Sequence, residues 1–463
     1  METRVDSPAG EKLIRILAFT LVLSVMSATV FNIVLPEIRQ EFNLSFAQVS
    51  WVSSAFLLIY AIGTVIYGKL ADVYKLKNLL TFGLVLFALG SLVGLGAQEY
   101  WMVLLGRMVQ AVGAAVIPAT AGIIPVRYFP QESRGRALGI SMTGLAIGSA
   151  IGPAVASLVV SVVHWRWLFC MPILTLLALP YYRKYLRDER VKSVKIDWIG
   201  GGLLAGTVAL LLLAITNGAM MPAAGCLLTF ALFVARIRSA KEPFIKPDLF
   251  GSKGYSLGLA IAFAATGIGY SLAFLSPQLL TQVYHLAPGL VGIAMVPAAV
   301  MTAILGRKAG YLADKKGNPF LFYSASSLLL VCFALLSSFP GVSPILVALF
   351  LIFGNVGQSF LYIALSNAIS RTLPAEQSGV GMGLLGMLNF IAGAVSASLY
   401  SKAVDQGAGR NWNPLNSVTE ASAYGNIYLV LALTHVGILL LYIFQFGRTA
   451  RKRKASEGIG EAI

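Results

Sequence analysis

From Leu13 to Phe446 the chain alternates long apolar runs with short polar breaks. Each run is about 20 residues, the length a helix needs to cross a hydrocarbon core of about 30 Å. Polar breaks and Gly/Pro punctuation predict about fourteen such helices: 13–35, 49–68, 79–98, 101–123, 137–160, 167–183, 198–216, 221–237, 255–276, 289–311, 319–339, 343–366, 380–402 and 424–446. Spans of this kind satisfy every backbone polar group internally, and the pattern points to helices rather than a barrel. The first run is longer than a signal-peptide core and continues through "FNIVLPEI" without a convincing cleavage site, which marks it as a retained helix.

Composition agrees: 57% of residues are hydrophobic and 12% charged, against roughly 25% charged in a soluble domain. A net charge of +16 could point to nucleic acid, but its placement does not. With the amino terminus inside, alternate loops and the tail collect 30 of the 35 Lys and Arg residues. That bias predicts a multi-pass protein of the cell membrane with both termini cytoplasmic and no nucleic-acid partner. Cys170, Cys226 and Cys332 lie in apolar runs without metal-ligand spacing and read as small core residues.

The chain repeats itself. "GKLAD" at Gly68–Asp72 matches "GYLAD" at Gly310–Asp314 at an offset of 242, and "RYFPQESRG" at Arg127 matches "RTLPAEQSG" at Arg371 at an offset of 244. Two matches at nearly one offset imply two six-helix halves, with the pair at about 198–238 inserted between them. The expected domains are residues 1–190, a linker at 191–250 carrying two helices, 251–447, and a basic tail at 448–463. A duplicated helical bundle with few soluble loops is the form of a secondary transporter. No GxxxxGK[ST] motif signals ATP hydrolysis, and no filter-like loop or charged ring suggests a channel. No nucleophile, acid–base or metal constellation suggests an enzyme, and no cofactor is expected. The basic tail could bind anionic lipid but mainly fixes topology.

With these segments in view, the chain resembles the major facilitator superfamily over almost its whole length. "GKLADVYKLK" resembles the superfamily's signature loop, and "LLGRMVQAVGAA" its basic fourth-helix motif. "GLAIGSAIGP" is similar to the fifth-helix motif of its antiporters, while "HWRWLF" and "KIDWIGGGLL" resemble markers of the fourteen-span drug:proton antiporter branch. The likeness is nearest to Gram-positive tetracycline-type exporters. It implies the major facilitator fold, all-α, with two six-helix bundles plus two inserted central helices.

Candidate residues follow from both readings. Gly68, Asp72, Lys77, Gly310 and Asp314 are candidate gate residues, since a short carboxylate can sit at the positive amino end of a neighbouring helix. Arg107 is the one charge deep in a predicted span, which costs at least about 2.5 kcal/mol and calls for a partner. The resemblance implies that it helps couple protons to substrate, with Gln110 three residues on and Glu37 as the nearest titratable group. Gly144, Gly148 and Gly152 share one helix face, and with Pro153 they predict a contact between the halves. Asn32, Gln278, Asn355, Gln358, Tyr362 and Asn389 are candidate substrate contacts, because polar groups inside spans can line a midplane site.

Where tetracycline-type exporters carry acids, this chain has Ala28 and Ser149, and none of its 19 acidic residues falls mid-span. The expectation is therefore a monomeric exporter of small amphipathic drugs or metabolites, working by alternating access and driven by protons. An uncoupled facilitator or nutrient importer on the same scaffold is the alternative.

Overall fold

The computed structural model describes residues 8–186, 195–217, 219–407 and 410–444. The predicted basic tail at 448–463 lies outside the described residues. Among those described there is no strand.

The first half contains α1 (Pro8–Glu41), α2 (Phe46–Val73), α3 (Leu76–Leu95), α4 (Tyr100–Ala114), α5 (Val116–Tyr128) and α6 (Arg134–Val162). A 3-10 segment, Trp165–Ala178, then runs into α7 (Leu179–Tyr185). The predicted fourth span is split at Ala115, between α4 and α5. Pro118 lacks the N–H that would bond the Ala114 carbonyl, so the helix breaks there.

The inserted pair is α8 (Trp198–Asn217) and α9 (Met220–Ser239), followed by the short α10 (Asp248–Gly251). The second half contains α11 (Lys253–Gln282), α12 (Pro288–Lys316), α13 (Asn318–Ser338), α14 (Pro344–Ser370), α15 (Ser378–Asp405) and α16 (Ser422–Tyr442). Every predicted span contains helix. Among the described residues, twelve helices are long and apolar enough to cross a membrane. The segments at α6 and at Trp165–Tyr185 are outside that set, so the expected count of fourteen is approximate.

Within the first half α1 packs on α6, and α3 on α4; within the second, α13 packs on α14, and α11 on α15. The halves meet chiefly along two seams, α2 against α15 and α6 against α12. Both seams are built on glycine. A Cβ on Gly68 would lie 2.5 Å from the Gly379 carbonyl oxygen, and one on Gly310 would strike the Gly135 carbonyl. Only glycine lets the backbones approach so closely.

The segments resembling branch markers have structural work. Arg166 donates to Glu41 at 2.7 Å and to the Ala97 carbonyl at 2.7 Å, while the Trp165 indole donates to Glu41 at 2.7 Å. This ties the end of α1 to the 3-10 segment. Asp197 accepts from the Gly200 N–H at 3.1 Å at the start of α8 and from Arg236 of α9 at 3.0 Å. Burial pushes the Asp197 carboxyl up, but the Arg236 and Gly200 bonds outweigh it and hold the carboxyl below the ordinary carboxylate range. Gly200 and Gly201 leave room for Phe244, which is buried against the start of α8.

The glycine stripe corrects an expectation. Gly144, Gly148 and Gly152 face Ala18, Val22 and Thr29 of α1, within the same half, and not the opposite half. Small faces identify a close helix contact but not the partner. The contact between halves on α6 is made nearer its start, by Gly135 and Gly139 against Gly310 and Gly306. The Pro153 side chain lies outside those described.

Candidate functional site

Asp72 ends α2 rather than lying in the following loop, and it points across the seam. Its two carboxylate oxygens accept from the backbone N–H groups of Gly379 and Val380, both at 2.9 Å, in the first turn of α15. Those amides have no partner within their own helix, and the helix dipole favours a negative charge there. Arg127 of α5 donates to Asp72 at 2.6 Å and to the Ala71 carbonyl at 2.8 Å, and reaches Ser378 at 3.3 Å.

The arrangement is repeated with the halves exchanged. Asp314 of α12 accepts from the backbone N–H groups of Gly135 at 2.8 Å and Arg136 at 2.7 Å, in the first turn of α6. Each half thus contributes one carboxylate and one helix terminus. The match stops at the arginines: Arg371, the repeat partner of Arg127, instead donates to the Gln131 carbonyl at 3.3 Å. Of the predicted gate residues, Lys77 alone stands apart. It is half-buried in the first turn of α3 and makes no side-chain bond among the described residues. Arg127 takes the cationic place beside Asp72. Its occurrence in both repeat copies was the signal for it.

Arg107 is fully buried in α4. Its guanidinium lies between two rings, 4.3 Å from the Phe31 centroid and 4.0 Å from that of Phe56. It donates to the carbonyls of Ser27 and Val52, both at 3.2 Å, and to Gln110 at 3.0 Å. Gln110 passes a bond to Ser91 at 2.8 Å, across a close contact where Gly90 has no side chain to obstruct α4. Charge is spread over carbonyl dipoles and π faces, and among the described residues no carboxylate touches it. Glu37 is not part of this group. It is exposed, ten residues beyond Ser27 and so about 15 Å along α1, in a crevice with Gln40 and His164.

Gln358, Tyr362 and Asn389 meet around a small chamber of about 10 Å³ within the second half, joined by Thr266 and Ser366, which were not singled out from the sequence. Asn389 accepts from Thr266 at 2.9 Å, and Gln358 donates to the Ala265 carbonyl at 3.4 Å in the notch left by Gly269. The Gln358 carbonyl oxygen is buried without a donor. Beside the chamber, Phe390 of α15 packs edge-on against Tyr60 of α2, ring centroids 5.2 Å apart. The structure does not gather the other candidates here. Asn32 is exposed and accepts from Ser53 at 2.6 Å, Asn355 bonds back to its own helix at Leu351, and Gln278 lies elsewhere on α11.

Drug-sized ligands occupy pockets of roughly 300–1,000 Å³, so a chamber of about 10 Å³ is closed to one in this state and must open by rearrangement of the helices around it. Among the described residues no group of three or more His, Cys, Asp or Glu could hold a metal.

The chain is similar to the riboflavin transporter RibZ of Clostridioides difficile (strain 630), 25% identical over 435 residues covering 91% of this chain and 94% of that one. It is also similar to multidrug resistance protein 3 of Bacillus subtilis (strain 168), 25% identical over 82% of this chain and 77% of that protein. To efflux pump dotC of Dothistroma septosporum (strain NZE10 / CBS 128990) it is 28% identical over 71% of this chain and 60% of that protein. In fold it matches the human organic anion transporter MFSD10, with a TM-score of 0.69 at 14% identity over 94% of this chain and all of that one. The proton:xylose symporter XylE matches with a TM-score of 0.68 at 13% identity, over 94% of this chain and 95% of that one. The sequence profile of the Major Facilitator Superfamily spans residues 17–397, and with two reciprocally bonded halves in view this chain belongs to that superfamily of membrane transporters.

Proposed function

We propose that the protein exports small amphipathic drugs or metabolites by alternating access, with entering protons as the driving ion. The observation that carries this reading is the reciprocal pair of carboxylate-to-helix bonds at Asp72 and Asp314. Four charge-assisted bonds at one end of the bundle hold that end shut, and breaking them frees the halves to rock about the chamber. The charge bias assigns this end to the cytoplasm, so the proposed resting state faces outward. The chamber's groups are hydroxyls and amides without a carboxylate, which suits neutral or anionic compounds better than cations. Relatives named as a multidrug resistance protein and an efflux pump support export. In this reading the protein is a monomer of fourteen spans, with halves at 1–190 and 251–447 joined by the two-helix linker at 191–250.

One observation favours an uncoupled facilitator or importer as a second reading. Among the described residues no carboxylate reaches the chamber or Arg107, so no obvious proton carrier sits beside either. Proteoliposomes separate the two. A substrate-dependent proton flux, and accumulation in everted vesicles that collapses with the pH gradient, is the expected result. Transport that persists after the gradient is abolished would select the facilitator.

A further inference from the structure

The two seams between the halves are twins by repeat, yet they are finished differently. Along α2–α15 the inserted α8 packs on both helices, and Leu204 and Val208 join Val65 and Val380 in one buried apolar cluster. Among the described residues, neither α8 nor α9 packs on α6 or α12 as α8 does on its twin seam. By the repeat offsets, the places of Val65 and Val380 are taken on this second seam by Arg307 and Arg136. A buried valine suits a seam sealed by a helix; an arginine requires water or an anion.

These arginines line a crevice of about 310 Å³, open to the surroundings, at the end of the bundle that bears Asp314. Arg15 of α1 completes the set, and Glu11 is the one acid. Glu11 pairs with Arg136 and, at 3.4 Å, with Arg15, which leaves a surplus of two positive charges. Arg307 makes no bond or ion pair among the described residues. Below the charged rim the wall turns apolar at Ile140 and Ile304, and Ile304 is 55% exposed. Guanidinium groups above an apolar, outward-facing wall match one ligand shape: a phosphate head with acyl chains beneath it.

We propose that this crevice binds the headgroup of an anionic phospholipid, which closes the α6–α12 seam as α8 closes its twin. The lipid touches Arg15 and Arg136 of the first half and Arg307 of the second, so it favours the state in which Asp314 is bonded to α6. Basic pockets between membrane helices are suited to such lipids.

The test uses the full chain in detergent, titrated with phosphatidylglycerol, phosphatidylcholine or soluble glycerol phosphate, and followed by native mass spectrometry and melting temperature. Phosphatidylglycerol is expected to be retained and to raise the melting temperature, with the other two ineffective. Arg307→Val, which installs the residue of the twin seam, and Arg15→Gln, a change at an exposed side chain, each weaken retention about five- to tenfold. Arg307→Lys, which keeps the charge, retains most of it. Unchanged retention in Arg307→Val and Arg15→Gln overturns the proposal. If Arg307→Val does not fold, unchanged retention in Arg15→Gln alone overturns it. Equal stabilisation by glycerol phosphate would assign the crevice to a free anion and also overturn it.

Discussion

Asp72 and Asp314 hold the same place in the two halves, each bonding two backbone amides of the opposite half, but only Asp72 has an arginine at 2.6 Å. The two are therefore unequal in energy although equal in topology. Hydrogen bonds to a charged group contribute about 1.5–3 kcal/mol each. Asp72→Asn loses the ion pair as well as the helix-terminus interaction and leaves Arg127 without its carboxylate. We expect Asp72→Asn to shift the population away from the latched state by at least tenfold and to abolish transport, with Asp314→Asn milder. Cysteine accessibility at the latch end measures both; equal effects would remove the assigned role of Arg127.

At the Gly68 and Gly310 crossings any side chain meets backbone, not a yielding side chain. Gly68→Val and Gly310→Val should each reduce transport more than tenfold while the protein still reaches the membrane. A matched control exists in Gly292, around which nothing lies within 4 Å. Gly292→Ala should transport normally, since alanine favours helix over glycine by about 1 kcal/mol.

Arg107 is held by geometry that lysine does not reproduce: a planar fork stacked between Phe31 and Phe56, with bonds to two carbonyls and an amide. We expect Arg107→Lys to cost about 2–4 kcal/mol of stability, from lost stacking and unpaired carbonyls. Arg107→Ala should insert but not transport. Melting in detergent reads the first, and uptake at several pH values the second. Full transport by Arg107→Ala with unaltered pH dependence would exclude any coupling role.

Gln358 and Asn389 present polar atoms to the chamber, and one Gln358 oxygen lacks a donor. Substrates with a donor group should lose about tenfold in KM with Asn389→Leu or Gln358→Leu, near one lost buried hydrogen bond, while kcat changes little. Asn32→Ala and Gln278→Ala, away from the chamber, should leave KM alone. Transport kinetics across the four variants decide it.

How much of this was legible depended on the kind of signal. Duplication exposed Asp72 and Asp314, because two copies of a costly residue at one offset are hard to produce by chance. Arg127 sat in the second repeat match, but Lys77 stood nearer in the chain, and chain proximity is a poor guide to the partner of a carboxylate at a helix end. The stripe at Gly144, Gly148 and Gly152 correctly implied a close contact; α1 and α12 both flank α6, and nothing in the stripe distinguishes them. Thr266 and Ser366 escaped notice because hydroxyls in spans usually bond back to their own helix. Arg107, the one charge deep in a predicted span, was legible from cost alone.

In the proposed alternating-access cycle, the contact of α8 with both α2 and α15 sets how the insert responds. Rocking must slide or open at least one of those contacts. In water such an opening would expose Val65 and Leu204 to solvent, a penalty of about 25 cal/mol per Å². In hydrocarbon, acyl chains replace the lost neighbours, and only the tightness of fit is surrendered. Helix α8 thus behaves as a sliding gasket, covering a seam without locking it.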